Sequence, residues 1–192
     1  GEETSVELID RMSRGESLDG VAGVIYRAED GTVVKNKGRI PVGNLDDAPL
    51  PAYDLLDLSR YSAPPMRIRK TPAVYMELFR GCAYAKCSYC TSGGGLKNRY
   101  RRHSPEGAAE KVLQIHMKYG ANEIAFVDDD FVVGKDWIYD FCGELRARGN
   151  PVSWTAYCRA SQVDAGVFMA MKAAGCHQVL IGIEVLDNDT LR

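Results

Sequence analysis

No stretch of this 192-residue chain stays apolar for the about 18 residues that a helix needs to cross a bilayer, so no membrane span is expected. Charge of one sign is lacking too. Against 26 Asp and Glu stand 24 Lys and Arg, a formal net charge of −2, which argues against coating nucleic acid wholesale but leaves room for a local basic patch. Histidine is scarce, with three residues, and no second C-x2-C pair or H-x3-H pair completes the four ligands that a structural zinc normally takes. No secretory leader opens the sequence to point to an oxidising compartment, so reduced thiols are expected in place of disulfides. The remainder is ordinary globular material, 45% hydrophobic and 26% charged, enough for one domain and part of another. The chain begins on Gly1 in place of Met and stops at Arg192 just after a helix-start signal, so both ends are expected to lie inside a longer polypeptide.

Three of the six cysteines crowd together. Cys82, Cys87 and Cys90 lie in Leu-Phe-Arg-Gly-Cys-Ala-Tyr-Ala-Lys-Cys-Ser-Tyr-Cys-Thr, directly after an apolar run that reads as a strand. Three thiolates on one loop with no fourth nearby can hold three corners of an iron-sulfur cube and leave one iron open to bind and reduce a ligand. Zinc binding, and thiols that carry no metal, are the alternatives that spacing leaves open.

The chain divides near Pro72. Thr4 and Glu7 have capping-box spacing at the start of a short helix over 4–14 whose face is Val6, Leu8, Ile9 and Met12, with Gly15 as its stop. Val21 to Arg27 and Thr32 to Asn36 read as a hairpin around Asp30-Gly31. Residues 41–72 carry six of the eight prolines and read as an extended connector, with Leu55, Leu56 and Leu58 expected to lie against a surface.

After Pro72, strands and helices alternate. Strands are expected at Ala73 to Phe79, Ile124 to Val127, Val152 to Tyr157 and Val179 to Ile183. Between them fall a helix capped by Ser104, opened by Pro105 and closed by Gly120, a helix marked by Trp137, Ile138, Phe141, Cys142 and Leu145 and ended by Gly149, and a helix capped by Asp164. The last three strands start about 26 to 29 residues apart, the rhythm of right-handed βαβ units in a parallel sheet, either open or half of a barrel. In both, function belongs at the carboxyl ends of the strands.

Those ends carry the cysteine loop, Asp128-Asp129-Asp130, Arg159, and Gly182-Ile183-Glu184. Each has a plain reading: a helix cap for the aspartates, a structural ion pair for Arg159, a solvated carboxylate for Glu184. A parallel sheet sets them side by side. Cys142, Cys158 and Cys176 read as buried small hydrophobes. Gly93, Gly94 and Gly95 have no helix fingerprint behind them and read as a flexible loop. Lys97 to His103 is the most basic stretch, with Arg67, Arg69 and Lys70 upstream, a solvated face or a patch for an anionic substrate or RNA.

Taken in order, these motifs resemble the radical S-adenosylmethionine enzymes, in particular the cobalamin-linked group that includes the anaerobic magnesium-protoporphyrin cyclase and many methyltransferases. Arg80-Gly81-Cys82 through Cys90 resembles the cluster loop, and Arg102-His-Ser-Pro-Glu106 the family's Arg-x-Ser-Pro-Glu helix start. Phe126-Val-Asp-Asp-Asp-Phe131 resembles Phe-x-Asp-Asp-x-Phe, and Met171-Lys-Ala-Ala-Gly-Cys176 with Gly182-Ile-Glu184 the Met-Lys-x-Ala-Gly-Cys and Gly-Ile-Glu pair. Gly1-Glu-Glu-Thr4 is similar to the tail of a cobalamin-binding domain, and Leu45 to Asp54 to the usual connector. Two departures stand out. The loop is C-x4-C-x2-C where the family commonly has C-x3-C-x2-C, and Val185-Leu186 follows Glu184 where Ser-Gly is common.

The resemblance implies an α/β fold: a partial TIM-type (β/α)6 barrel, about four βα units of it present over 73–192, behind a connector at 41–72 and a small α+β remnant of a cobalamin-binding domain at 1–40. It implies that Cys82, Cys87 and Cys90 bind a [4Fe-4S] cluster whose open iron chelates S-adenosylmethionine, cleaved to methionine and a 5′-deoxyadenosyl radical. Asp128 and Asp129 would accept the methionine ammonium, Arg159 would meet its carboxylate, Glu184 the ribose hydroxyls and Tyr89 the adenine. Cobalamin would be bound by the parent protein outside this chain. The implied partners are a small or lipid-like substrate and a reductant such as flavodoxin or ferredoxin, in the cytoplasm, with nucleic acid not expected. A methylthiolating or tRNA-modifying radical enzyme, and a zinc or iron-sulfur binding module without catalysis, are the competing readings. With four of six barrel strands visible, the chain alone is expected to be nearly inactive.

Overall fold

The computed structural model describes residues 1–61, 67–90, 100–187 and 189. The chain folds into two compact units, Gly1–Gly43 and Asn44–Arg192.

In the first unit, helix α1 spans Glu2–Ser13, and strands β1 (Ile25–Arg27) and β2 (Val33–Lys35) pair antiparallel around the expected Asp30-Gly31 turn. Thr32 N–H donates to the Asp30 carboxylate, and Gly31 takes φ 85°, the left-handed region that only glycine enters without cost. The capping box does not form. Gly1 is the N-cap, Thr4 Oγ1 donates to Ala22 O, and Glu7 is drawn away into ion pairs with Arg11 and Arg39. Tertiary partners win over the local pairing because Arg39 brings Glu7 a full charge.

The second unit is built on four parallel strands, β3 (Ala73–Met76), β6 (Glu123–Phe126), β7 (Ser153–Cys158) and β8 (Cys176–Ile181), in the order β3-β6-β7-β8. Helices α2 (Pro105–Tyr119), α3 (Lys135–Ala147) and α4 (Ala165–Ala173) form the crossovers. Ser104 Oγ accepts from Gly107 N and Asp164 from Val167 N, so both expected caps form, and Gly120 ends α2 at φ 67°. All three helices bury their apolar sides in one core with Val74, Met76, Ile124, Phe126, Trp154 and Ala156. Sequential strand order with helices on a single face is the barrel pattern, because a doubly wound sheet reverses its order and carries helices on both faces. Among the described residues, no helix is long and apolar enough to cross a membrane.

The first hairpin strand begins at Ile25, four residues later than expected, and in the second unit two strand boundaries differ by more than two residues from those expected. The first expected strand breaks after Met76, and its last residues form a separate strand β4 (Phe79–Arg80), antiparallel to β5 (Arg101–Arg102). The fourth begins at Cys176, three residues early, where Gly175 at φ 104° lets the chain enter the sheet next to Trp154. In the connector, Leu45, Leu50, Tyr53 and Leu58 make the apolar contacts, whereas Leu55 and Leu56 are exposed, contrary to expectation. Pro64, Pro65 and Met66 lie outside the described residues.

The connector is tied to the amino-terminal end of the sheet by one buried carboxylate. Glu123 accepts hydrogen bonds from the backbone N–H groups of Arg69 and Lys70 and lies 2.8 Å from His177 Nε2 on β8. Removing it leaves two backbone donors and the His177 imidazole without their acceptor. Glu123→Ala should therefore lower unfolding free energy by about 3 kcal/mol, measured by urea titration, and a loss under about 1 kcal/mol would contradict this role.

Candidate functional site

The carboxyl ends of the parallel strands are organised around the loop that leaves β3. Asp128, two residues past β6, is 2% exposed, and its Oδ1 accepts from Leu78 N at 2.8 Å and Phe79 N at 2.5 Å. This contact ends β3 and turns the chain into β4. The β4–β5 ladder, extended by His103 N to Leu78 O, closes the base of the cysteine loop, and Tyr100 stacks on Phe79 at its mouth. Fixing both ends removes much of the entropy that a loop of this length would otherwise retain.

Within the loop, Cys82 and Cys87 are half-buried and Cys90 is exposed, and all three are free. Cys90 N–H donates to Cys87 O, a tight turn that keeps the last two thiols on one bend. Among the described residues, no three His, Cys, Asp or Glu side chains converge into a metal cage, so the thiols share the loop without yet sharing a point. As a donor set they fit an iron-sulfur cluster: soft, reduced and open to a ligand. Cys142, Cys158 and Cys176 do not, because burial pushes each thiol up to about 12. The additional residue of the C-x4-C spacing is taken up at Ala85, the one described non-glycine residue with positive φ, at 46°. A left-handed alanine costs about 1 kcal/mol, so the extra residue is absorbed by a local turn.

The three aspartates separate into different roles. Asp128 is a buried structural acceptor, and its Oδ2 has no hydrogen-bond partner. Burial outweighs the two backbone donors and raises its pKa to about 7. Asp129 is exposed. Asp130, not among the candidates read from the sequence, is buried, with Oδ2 lying 3.6 Å from Arg159 Nη1; burial raises its pKa although Arg159 opposes this. The Phe-x-Asp-Asp-x-Phe resemblance directed attention to the first two carboxylates; strand alternation could have found the third, since it restores to Asp130 the inward phase of Asp128.

Arg159 does more than face Asp130. Its guanidinium carbon lies 3.8 Å from the ring centroid of Tyr84, between the first two cysteines, so it links the cysteine loop to the end of β7. Tyr89 and Glu184 also come together: the Tyr89 hydroxyl is raised in pKa by desolvation first, then by Glu184 and Cys87. Cys87, Tyr89 and Glu184 thus form one cluster, and Tyr84, Arg159 and Asp130 another. The phenylalanines of Phe126-Val-Asp-Asp-Asp-Phe131 are core residues, stacked at 4.9 Å in an aromatic group with Phe141 and Trp154.

Of the basic stretch, the described residues 100–103 are tied into the fold. Arg101 and Arg102 are in β5, and His103 is buried with Nδ1 2.9 Å from Asp46, burial lowering its pKa despite that partner. Gly93, Gly94, Gly95, Lys97 and Arg99 lie outside the described residues.

The sequence model of the radical SAM superfamily matches residues 76–192. An uncharacterized methyltransferase of Pyrococcus horikoshii is 36% identical over 184 residues, covering 96% of this chain and 39% of that protein. The anaerobic magnesium-protoporphyrin IX monomethyl ester cyclase of Rubrivivax gelatinosus is 24% identical, over 96% of this chain and 33% of its own length. The structure of the cobalamin-dependent S-adenosylmethionine radical enzyme OxsB with aqua-cobalamin and S-adenosylmethionine bound aligns over all of this chain and 28% of OxsB, with TM-score 0.77 and 24% identity. The radical S-adenosylmethionine methyltransferase TsrM from Kitasatospora setae, with cobalamin and a [4Fe-4S] cluster bound, aligns with TM-score 0.68 and 20% identity over 38% of its length. These two likenesses establish the fold, and the chain spans about two-fifths or less of each relative.

The buried Asp128 makes a pH test available. Its folded pKa is raised, so protonation stabilises the fold; that contribution is complete below about pH 4 and is lost as pH climbs through about 7. Asp128→Asn keeps an acceptor without the charge. Relative to this variant, the native chain should lose on the order of 3 kcal/mol of unfolding free energy between pH 4 and pH 8, and parallel pH profiles would show that Asp128 does not titrate there.

Proposed function

This chain belongs to the radical SAM superfamily, and from that premise we propose that it is part of a cobalamin-linked radical S-adenosylmethionine enzyme whose Cys82, Cys87 and Cys90 hold a [4Fe-4S] cluster. One observation carries the reading. Three free cysteines lie on a single loop, closed by the β4–β5 ladder at the carboxyl end of the first strand of a sequential parallel sheet, while Cys142 and Cys158 are buried in the core and Cys176, half-buried and not fully buried as expected, packs against it from β8. When bound, the cluster and S-adenosylmethionine supply reductive cleavage of a carbon–sulfur bond, giving methionine and a 5′-deoxyadenosyl radical.

The protein's own residues bind and orient. Asp129, exposed beside the loop, is the acceptor for the methionine ammonium. Asp128 supports it from behind by holding the Leu78–Phe79 backbone, the positioning role its burial favours over direct contact. Arg159 is the partner for the methionine carboxylate, oriented by Asp130 and Tyr84. Glu184 and Tyr89 serve the ribose and adenine, which their proximity to each other and to Cys87 supports.

The reaction class proposed for the whole protein is methyl transfer or cyclisation on a small-molecule or lipid-like substrate, supported by relatives named as methyltransferases and a cyclase. Cobalamin would bind outside residues 1–192, with residues 1–40 as the tail of its domain, 41–72 as connector and 73–192 as the first part of the radical core. A flavodoxin or ferredoxin would deliver the electron.

Anaerobic reconstitution with iron and sulfide tests this. The chain should take up about four irons and show the broad visible iron-sulfur absorbance; Cys82→Ala, Cys87→Ala and Cys90→Ala should each lose most of both, and Cys142→Ala should keep them. Deoxyadenosine formation by residues 1–192 alone should be near zero. A Cys90→Ala variant that retains iron and colour would overturn the cluster assignment.

A further inference from the structure

Buried polar atoms without a hydrogen-bond partner gather in two places among the described residues. At the strand ends the orphans are mainly acceptors, Asp128 Oδ2 and both Asp130 oxygens. On the face of the sheet turned away from the helices they include donors, Nε and Nη2 of Arg67 and the hydroxyl of Thr155, beside Nδ1 of His177. Alternation fixes that face. Val74, Trp154 and Ala156 point into the helix-covered core, so Tyr75, Thr155 and Tyr157 point the other way. Tyr75, Ala125 and Thr155 lie in one register row across β3, β6 and β7, and Ala125 leaves its middle low.

Arg67 lies against two tyrosines of this face. It donates from Nη1 to the Tyr157 hydroxyl at 2.7 Å, and its guanidinium carbon is 4.7 Å from the Tyr157 ring centroid and 5.6 Å from that of Tyr75. Two aromatic faces and one hydroxyl position the cation, and no carboxylate neutralises it among the described residues. A guanidinium withdrawn from water with two N–H groups unsatisfied is a strong receptor for an oxyanion, which its planar fork can bind through two parallel hydrogen bonds. The aromatic contacts hold the fork in place without using those donors.

We propose that Arg67, with Thr155 and Tyr157, binds a carboxylate or phosphate group of the substrate on the inner face of the sheet, which makes the substrate an anionic small molecule. Naming that ligand a substrate rests on the radical-enzyme reading. The anion site itself does not require the cluster.

The test is calorimetric titration of the 192-residue chain, without iron, with inorganic phosphate and separately with acetate, which distinguishes a phosphate from a carboxylate receptor. Saturable binding of at least one is expected, weakened at least ~tenfold by Arg67→Gln. Tyr157→Phe removes only the hydroxyl that aims the fork and should weaken binding by about threefold or more; it keeps the test decisive if Arg67→Gln unfolds. Absence of saturable binding of either anion, or equal affinity in the variants, overturns the proposal. Iron uptake is measured on the same samples: iron without anion binding sinks the Arg67 site alone, and anion binding without iron sinks the cluster reading alone.

Discussion

The arrangement at the strand ends depends on one carboxylate oxygen. Asp128 Oδ1 gathers the N–H groups of Leu78 and Phe79, and that contact converts what would be a continuous strand into two short ones meeting at an angle. From the bend, β4 leaves the parallel sheet to pair with β5, and the chain between them becomes a closed loop bearing the cysteines. The bend lies in the core: Leu78 is fully buried, and Phe79 contacts Phe131 and Trp137. A loop held at its base by buried hydrogen bonds and aromatic packing can present reactive side chains at its tip without the core responding to each of them.

From that base the site divides into parts that hold and parts that bind. Asp128 and Asp130 are buried, one facing backbone and the other a guanidinium, whereas Asp129 and Glu184 remain open to solvent. Arg159 joins the two sides, paired with buried Asp130 and stacked under Tyr84 of the loop. A displacement of the loop is therefore felt at the end of β7, and an anionic ligand at Arg159 would compete with or reinforce the Asp130 contact. The connector makes the opposite end equally firm through Glu123, leaving the helix-free face between the two ends for Arg67.

Much of this was legible in the sequence because it depends on period and punctuation. Ser104-Pro105, Gly120 and Asp164 mark the helices, and the spacing of the last three strands gives the βα rhythm. What was hidden depends on contacts between distant residues. The break after Met76 needs Asp128, about fifty positions on, and no local propensity announces it. The capping box at Thr4 and Glu7 fails because Arg39 competes for Glu7. Asp130 is indistinguishable by type from its two neighbours; only the phase of the chain after β6 buries it against Arg159. In the sequence Arg67 is one member of an upstream basic group, and its role emerges only when β7 brings Tyr157 to it across ninety positions.

The proposed function stands on three thiolates of this loop holding a four-iron cluster with one iron left open. Mössbauer spectroscopy of the anaerobically reconstituted chain, with and without S-adenosylmethionine, tests it most directly. The expected result is a four-iron cluster in which the signal of a single iron changes when S-adenosylmethionine is added. A two-iron cluster, or a spectrum with four equivalent irons indifferent to S-adenosylmethionine, would contradict it.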